Sequence, residues 1–260
     1  MNRAPVAEQV RLKSPQDIEK MRAAGRVVAI VLRQVAAAVR PGVTTGELDE
    51  MAERLITELG AKPAFKGYGN YPATLCVSVN DEVVHGIPGG RVLNAGDIAS
   101  LDVGAIVDGF YADAARTVAV GTASPQARRL MRVTREALEL GIAQARPGAT
   151  IGDVAAAVER HVEKNGYSVV RDLSGHGIGR DMHESPQVPN FTSGASRRQL
   201  RFGIEAGVTF AIEPMVNEGG PEIVKADDGW TYRTRDGSLS AHFEHTIAVQ
   251  ESGPEILTRL

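Results

Sequence analysis

One helical segment occurs twice in this chain, and the repeat restricts the fold more than any other feature. The segments "PGVTTGELDEMAERLITELG" (41–60) and "PGATIGDVAAAVERHVEKNG" (147–166) align without a gap at an offset of 106 residues and are identical at seven of twenty positions. A second helix-like stretch precedes each copy, at about 17–39 and 125–145. We therefore predict two related halves of two helices each, packed as one domain with pseudo-twofold symmetry. A chance likeness between two amphipathic helices is the alternative.

Both copies carry the same signals for the start and the end of a helix. Thr44 with Glu47, and Thr150 with Asp153, have the spacing of a capping box, in which side chains satisfy free N–H groups of the first turn. Each copy ends on a glycine, the residue that most readily terminates a helix. A turn, a capped helix and a glycine stop are therefore predicted at both places.

Between the helices the hydrophobic period changes to two, which is typical of strands. An Asp-Gly dipeptide between β-rich runs is a strong signal for a two-residue hairpin. Such dipeptides stand at 108–109 and 236–237, and an Asn-Asp turn stands at 80–81. The pattern predicts an α+β fold with a largely antiparallel sheet inside and helices outside.

Composition excludes several classes of protein. The 260 residues are 43% hydrophobic and 23% charged with a net charge of −3, which is typical of a globular protein and argues against a nucleic-acid binder. A lone Cys76 excludes an internal disulfide framework, and the N-terminus lacks the apolar core of a signal peptide. The longest apolar run, 27–39, contains Arg33 and is too short to span a bilayer. We expect a cytoplasmic protein without a membrane or nucleic-acid partner, with an N-terminal arm at 1–13 and a single domain at 14–260.

The hairpin around 108–109 brings two carboxylates together. A two-residue loop pairs residues whose numbers sum to 217, so Gly104 faces Asp113. Asp102 then lies on the same face one diagonal step away, about 7 to 8 Å between backbones. Two inward carboxylates repel each other unless a cation offsets them. The hairpin alone leaves three possibilities open: a metal site, a carboxylate that points to solvent, or a register that differs by one residue.

Three more side chains are candidates for the same site as Asp102 and Asp113. Glu213 ends an apolar strand, Glu244 lies within another, and His176 stands between two glycines in "GHGIG". A carboxylate in an apolar run is usually paired or coordinated when it faces inward. Four carboxylates and one imidazole are too rich in oxygen for a structural zinc site and are typical of two divalent ions bridged by carboxylates.

Five separated segments carry a family resemblance. In chain order they are "HGIP" at 85–88, "LDVGAIVDGFYADAART" at 101–117, "GHGIG" at 175–179 with a histidine at 183, "IEPM" at 212–215 and "FEHT" at 243–246. In order and spacing they resemble type I methionine aminopeptidase, and the resemblance covers about residues 14 to 250. It implies the pita-bread fold, with a central curved antiparallel sheet and two αβ halves that agree with the repeat.

The resemblance implies that five residues bind two divalent metal ions: Asp102, Asp113, His176, Glu213 and Glu244. Asp113 and Glu244 would bridge both ions, Asp102 would bind the second, and His176 and Glu213 would complete the shell of the first. Manganese, iron, cobalt and zinc all suit these ligands, so the identity of the metal stays open.

The resemblance also implies catalytic roles. His85 and His183 would bind no metal and would donate hydrogen bonds near the scissile peptide bond. Glu213 would carry a proton from water to the leaving amine. The two histidines of residues 174 to 185 would thus have different roles, with His176 as a ligand and His183 as a donor to the substrate. The glycines at 175, 177 and 179 would let the backbone bend close to the metal.

For the methionine side chain the resemblance points to six residues: Phe65, Tyr68, Tyr71, Cys76, Met182 and Trp230. Cys76 would be a small apolar wall and not a nucleophile. Tyr68 and Trp230 are equally compatible with a role as core aromatics. Met182, at the rim, departs from relatives that have an aromatic residue there. The remaining histidines are expected outside the site: His161, His242 and His245.

The implied activity is removal of the initiator methionine from nascent polypeptides whose second residue is small. The enzyme would act as a cytoplasmic monomer, with transient association with the ribosome left open. An Xaa-Pro peptidase of the same fold is one alternative, disfavoured because only about 16 residues precede the first helix. A type II enzyme is disfavoured because 30 residues separate His183 from Glu213. A catalytically inactive peptide-binding relative is disfavoured because every ligand position is filled by the expected residue type.

Overall fold

The computed structural model describes residues 10–260, so residues 1–9 of the predicted N-terminal arm lie outside the described part of the chain. Its helices are α1 (Pro15–Ala38), α2 (Thr45–Glu58), α3 (Pro125–Gln144), α4 (Ile151–Lys164) and α5 (Arg197–Leu200). None of these helices in 10–260 has the length and apolar character needed to cross a membrane.

The strands fall into two groups along the chain. The first group is β1 (Lys62–Pro63), β2 (Leu75–Val79), β3 (Glu82–Val84), β4 (Ile98–Val107) and β5 (Phe110–Ala119). The second group is β6 (Ser168–Val169), β7 (Gly175–Gly177), β8 (Glu184–Val188), β9 (Thr209–Ile212), β10 (Met215–Asn217), β11 (Ile223–Lys225), β12 (Tyr232–Thr234), β13 (Ser240–His242), β14 (His245–Gln250) and β15 (Gly253–Ile256).

The repeated segments fold alike, as the repeat predicts. The helices α2 and α4 have 14 residues each, and both capping boxes form. The hydroxyls of Thr44 and Thr150 each accept the N–H of the third helical residue at 3.2 Å. Gly60 and Gly166 follow the helices with φ of 75° and 79°, a left-handed conformation that glycine adopts without strain. Helix α2 packs on α1, and α4 packs on α3.

All strand pairs among the described residues are antiparallel, and they form four sheets. A four-stranded sheet has the order β1-β4-β2 with β5 on β4, and a five-stranded sheet has the order β15-β14-β9-β7-β8. The two three-stranded sheets are β13-β10-β6 and β11-β12-β3. The α+β class with antiparallel strands is thereby confirmed.

The hairpin of β4 and β5 has the predicted register. Gly104 pairs with Asp113, and Asp102 pairs with Ala115. The two loop residues at 108 and 109 have φ of 50° and 76°, as a two-residue turn between twisted strands requires. The two aspartates therefore occupy the diagonal positions that the loop length predicts.

The second predicted Asp-Gly hairpin, at 236–237, is wrong. Strand β12 pairs with β11 and β3, whereas β13 pairs with β10. The turn itself forms, but Asp236 accepts the N–H groups of Ser238 at 3.0 Å and of Gly220 at 2.8 Å. The bond from Gly220 ties the turn to the segment after β10, and the flanking strands join different sheets.

The apolar cores lie between helices and sheets. Helices α1 and α2 pack on β2, β4 and β5, and helices α3 and α4 pack on β9, β10, β13 and β14. A further cluster joins the two halves, with Phe65 and Cys76 from the first and Ile178 from the second. The candidate site opens at this junction.

Candidate metal centre and active site

Two of the predicted site carboxylates lie where the chain crosses between sheets. Glu213 stands between β9 and β10, and Glu244 stands between β13 and β14, so the interior strand predicted around Glu244 is interrupted there. Both crossings connect the five-stranded sheet with the β13-β10-β6 sheet. The N–H of Glu244 donates to the carbonyl of Ala115 at 2.9 Å, which fixes this crossing against β5 and its Asp113.

His176 faces the carboxylates from β7. Its Nδ1 lies 3.0 Å from the carbonyl oxygen of Gly177 and therefore carries the proton. Its Nε2 lies 3.5 Å from Asp113 Oδ2 and 3.5 Å from Glu213 Oε1. Donor atoms of Asp113, His176 and Glu244 all lie within 4.8 Å of one another. The backbone thus orients the imidazole so that its Nε2 faces the carboxylates.

Asp102 supplies a buried polar atom that needs a partner. Its Oδ1 is buried and accepts no hydrogen bond. In contrast, Asp113 Oδ1 accepts the hydroxyl of Thr246 at 2.8 Å, so only its second oxygen faces the cluster. Buried carboxylate oxygens without a donor are rare because each costs about 1–3 kcal/mol.

The electrostatics of the cluster favour a bound cation. Burial raises the pKa of Asp102, Glu213 and Glu244, and the charge of Asp113 raises each further; the value for Glu213 reaches about 8. Burial works against a charged His176, yet its hydrogen bond to Asp113 raises its pKa to about 9. Four carboxylates share one imidazole as their nearest positive group, so the donor set and the partnerless oxygen fit divalent metal binding.

Two of the glycines around His176 have a packing role. A Cβ at Gly175 would collide with the carbonyl of Ala211, and a Cβ at Gly177 would collide with the carbonyl of Ser185. These glycines let β7 approach its neighbouring strands β9 and β8. The space that a side chain would occupy at these two positions is filled by protein, and the closeness of the backbone to a metal stays a prediction.

His85 and His183 line the same pocket as the cluster. The His183 ring lies 4.2 Å from that of His176, and its Nδ1 lies 2.7 Å from the Tyr68 hydroxyl. Burial lowers the pKa of His183 and of His85 to about 4, so both rings are neutral at pH 7. His85 has a φ of 61°, an unfavourable conformation for a residue with a Cβ that occurs preferentially at functional sites.

One pocket of about 220 Å³ contains the predicted site and side-chain residues. They are Phe65, Tyr68, Tyr71, Cys76, His85, Asp102, Asp113, His176, Met182, His183, Glu213, Trp230 and Glu244. Tyr71 and Trp230 meet edge to face at 5.1 Å. Burial and the nearby Asp102 raise the pKa of the Cys76 thiol well above its usual value, so Cys76 remains a neutral apolar wall.

Sequence reasoning missed several residues near the site. Val84, Leu173, Ser174 and Met215 also line the pocket. His242, expected outside, has its Nε2 3.9 Å from Glu213 Oε2.

The other two histidines lie outside the pocket lining, as predicted. His161 Nε2 lies 3.1 Å from Glu136 between α3 and α4. His245 Nδ1 lies 2.8 Å from the hydroxyl of Thr258.

An oxygen-rich, buried ligand set at the base of an apolar pocket, flanked by neutral histidines, is typical of a metal-dependent hydrolase. The sequence model of metallopeptidase family M24 matches residues 19–251. The methionine aminopeptidase A of Synechocystis is 49% identical over 254 residues, which cover 97% of this chain and 99% of that protein. The chain belongs to metallopeptidase family M24 and, within it, to the methionine aminopeptidases.

Solved structures agree with this assignment. The crystal structure of the Thermotoga maritima methionine aminopeptidase matches with a TM-score of 0.93 at 47% identity, covering 97% of this chain and 100% of that chain. The prolidase from Pyrococcus furiosus matches with a TM-score of 0.78 at 21% identity, covering 96% of this chain and 65% of its own. The prolidase likeness shows the shared pita-bread fold alone, so the Xaa-Pro alternative rests only on a distant relative.

Proposed function

We propose that this enzyme removes the N-terminal methionine from polypeptides whose second residue is small. The observation that carries the proposal is the junction of a narrow apolar pocket with a buried cluster of carboxylates. An apolar pocket accepts a methionine side chain, and the adjacent cluster is where its peptide bond would lie. Polypeptide N-termini, including those of nascent chains, are the corresponding substrates.

Two divalent ions are proposed at the cluster, held by Asp102, Asp113, His176, Glu213 and Glu244. Asp113, His176 and Glu244 would form the centre of this ligand set, because their donor atoms all lie within 4.8 Å of one another. Such ions supply Lewis acidity and lower the pKa of water. Carboxylates with one imidazole accept manganese, iron, cobalt or zinc, so availability selects the metal.

Methionine is proposed to bind among the aromatic and sulfur-containing side chains of the pocket. Tyr71 is held by its hydroxyl, whose one proton is shared between the carbonyl oxygens of Leu75 at 3.2 Å and Gly86 at 3.1 Å. With its ring fixed in this way, Tyr71 and the neighbouring Trp230 offer edges and faces to the thioether, a contact worth about 0.3–1.5 kcal/mol. Cys76 completes the wall without offering a charge.

In the proposed hydrolysis, Glu213 transfers the proton. Water attacks the carbonyl carbon of methionine, Glu213 accepts the proton of that water, and the same carboxyl gives it to the amine nitrogen as the C–N bond breaks. Neutral His183 and His85 donate hydrogen bonds to the oxygen that becomes negative or to the adjacent substrate backbone. Tyr68 orients His183 through its Nδ1.

Peptide selectivity tests the proposal. With manganese or cobalt added, we expect Met-Ala-Ser to be cleaved with a kcat/KM at least about 100-fold above that for Met-Lys-Ser, since a long second residue must occupy space next to the cluster. Release of free amino acid, followed by chromatography, measures both rates. Xaa-Pro peptides serve as the control and should resist cleavage. Cleavage of Xaa-Pro peptides at an equal rate, or of no peptide at all, would contradict the proposal.

Replacing His85 or His183 by alanine should lower kcat by about 10²- to 10³-fold, because each substitution removes a hydrogen-bond donor to the transition state. Metal content, measured by plasma emission spectroscopy, should stay unchanged because neither ring is proposed as a ligand. His161→Ala, on the helix pair away from the pocket, is the matched control and should keep full turnover. A loss of metal in His85→Ala or His183→Ala would reassign that residue to the metal shell.

We also propose the domain organisation, the oligomeric state and the cellular location of the enzyme. Residues 14–260 would act as one catalytic domain, as a monomer in the cytoplasm, with transient contact to the ribosome during synthesis of the substrate. The lone buried cysteine supports a reducing compartment.

A further inference from the structure

A buried ion pair lies behind the loop that carries His183. Lys13 Nζ is 2.5 Å from Glu184 Oε2, and the two side chains are only 5% and 7% exposed. Lys13 precedes α1, whereas Glu184 begins β8, next in sequence to His183. Removing one partner of such a pair leaves an uncompensated buried charge, so its position is strongly defined.

The carboxylate of Glu184 also closes the loop on itself. Its Oε1 accepts the backbone N–H of Arg180 at 2.8 Å and that of Asp181 at 3.2 Å. A single carboxyl group therefore connects both ends of the segment 180–184. Met182 and His183, the two pocket residues of this segment, lie between the connected ends.

Both the backbone and the side chain of Lys13 are fixed by contacts. Its N–H donates to the carbonyl of Gly207 at 2.8 Å, and the next residue, Ser14, caps α1. A Cβ at Gly179 would collide with Lys13 Cε and with Glu184 Oε1, so the pair is packed tightly against the start of the loop. The ammonium group is thus a fixed point and not a mobile surface charge.

On the pocket side the loop has a weaker attachment. Within residues 10–260, the hydrogen bond of the His183 ring goes to Tyr68, a residue that is 45% exposed. We propose that Lys13 and Glu184 are positioning residues: their buried ion pair holds the loop 180–184 so that His183 points at the reacting carbonyl. This inference rests on the proposed function, because His183 is the substrate-facing donor in it.

The chain offers a matched control at the same place. Arg11 and Asp181 form a second ion pair between the same two segments at 3.2 Å, but their side chains are 66% and 65% exposed. Exposed pairs contribute about 0–1 kcal/mol and hold a loop weakly. Arg11→Gln therefore removes a charge from the segment without removing the buried attachment.

The experiment compares Lys13→Met, Glu184→Gln, the double variant and Arg11→Gln in the metal-loaded enzyme. The single variant Lys13→Met leaves a buried unpaired carboxylate and should melt at a lower temperature. The double variant contains no unpaired charge and should regain most of that stability. Its kcat for Met-Ala-Ser should nevertheless remain at least about tenfold below wild type with KM changed less than threefold, because a displaced donor acts on the transition state. Arg11→Gln should match the wild type.

Limited trypsin digestion gives a readout that does not depend on turnover. Well below its melting temperature, the double variant should be cut after Arg180 at least about tenfold faster than the wild type or Arg11→Gln, because the loop has lost its attachment. The proposal is overturned if kcat of the double variant recovers together with its stability, or if the rate of cleavage after Arg180 is unchanged. Either result would mean that the ion pair has a structural role only. Failure of the wild type to cleave Met-Ala-Ser would instead reject the proposed function, and the digestion would still report on the attachment.

Discussion

Glu213→Gln should leave a folded protein whose kcat for Met-Ala-Ser falls by about 10²- to 10⁴-fold, since the amide can neither accept nor deliver the proton. The side chain is placed for this role beside His176, whose Nε2 lies 3.5 Å from Glu213 Oε1. Steady-state rates at saturating manganese measure the effect. Circular dichroism and a melting curve check that the fold is retained.

Glu205→Gln is the matched control, because Glu205 is an exposed carboxylate outside the pocket lining. It should keep wild-type turnover. Glu213→Gln should also not destabilise the metal-free protein, since it removes one of several mutually repelling carboxylates. Near-normal turnover of Glu213→Gln at saturating metal would remove this residue from the proton path.

Local signals predicted the parts of the site that lie on one hairpin or at one helix end. The pairing of Gly104 with Asp113 follows from the loop length alone, because a two-residue turn fixes the register of both strands. The capping boxes follow from the side-chain chemistry of the first helical turn. Such features depend on residues within a few positions of each other, so the sequence is sufficient to predict them.

Features that depend on distant strands were not predictable in this way. The turn at 236–237 forms, but which sheets its flanking strands join depends on β3 and β10, far away in the chain. Likewise His242 comes within 3.9 Å of Glu213 because β10 and β13 pair and their ends cross into the same sheet. The buried partner of Lys13 lies 171 residues away, and no local pattern indicates it.

Metal removal should abolish turnover and should make the stability of the protein fall as the pH rises from about 7.5 to 9. The folded-state pKa is raised to about 8 for Glu213 and to about 9 for His176. The folded metal-free protein therefore binds more protons than the unfolded chain in this window, and the free energy of unfolding decreases with pH by about 1 kcal/mol per group. The histidines with lowered pKa, His85 and His183 at about 4, titrate below this window in the folded state. Melting curves in a chelator at both pH values measure the change.

The metal-loaded protein is the control for this pH dependence. Bound ions keep the ligands ionised at both pH values. The metal-loaded protein should therefore melt at a higher temperature, and its stability should fall much less between the two pH values. Ionisation of the Cys76 thiol in the unfolded chain lowers stability at pH 9 equally in both samples, so the difference between their slopes reports the cluster alone. Added manganese should restore both stability and turnover. Equal pH slopes with and without metal would mean that the buried carboxylates are not the ligands, because ion binding would then leave their protonation unchanged.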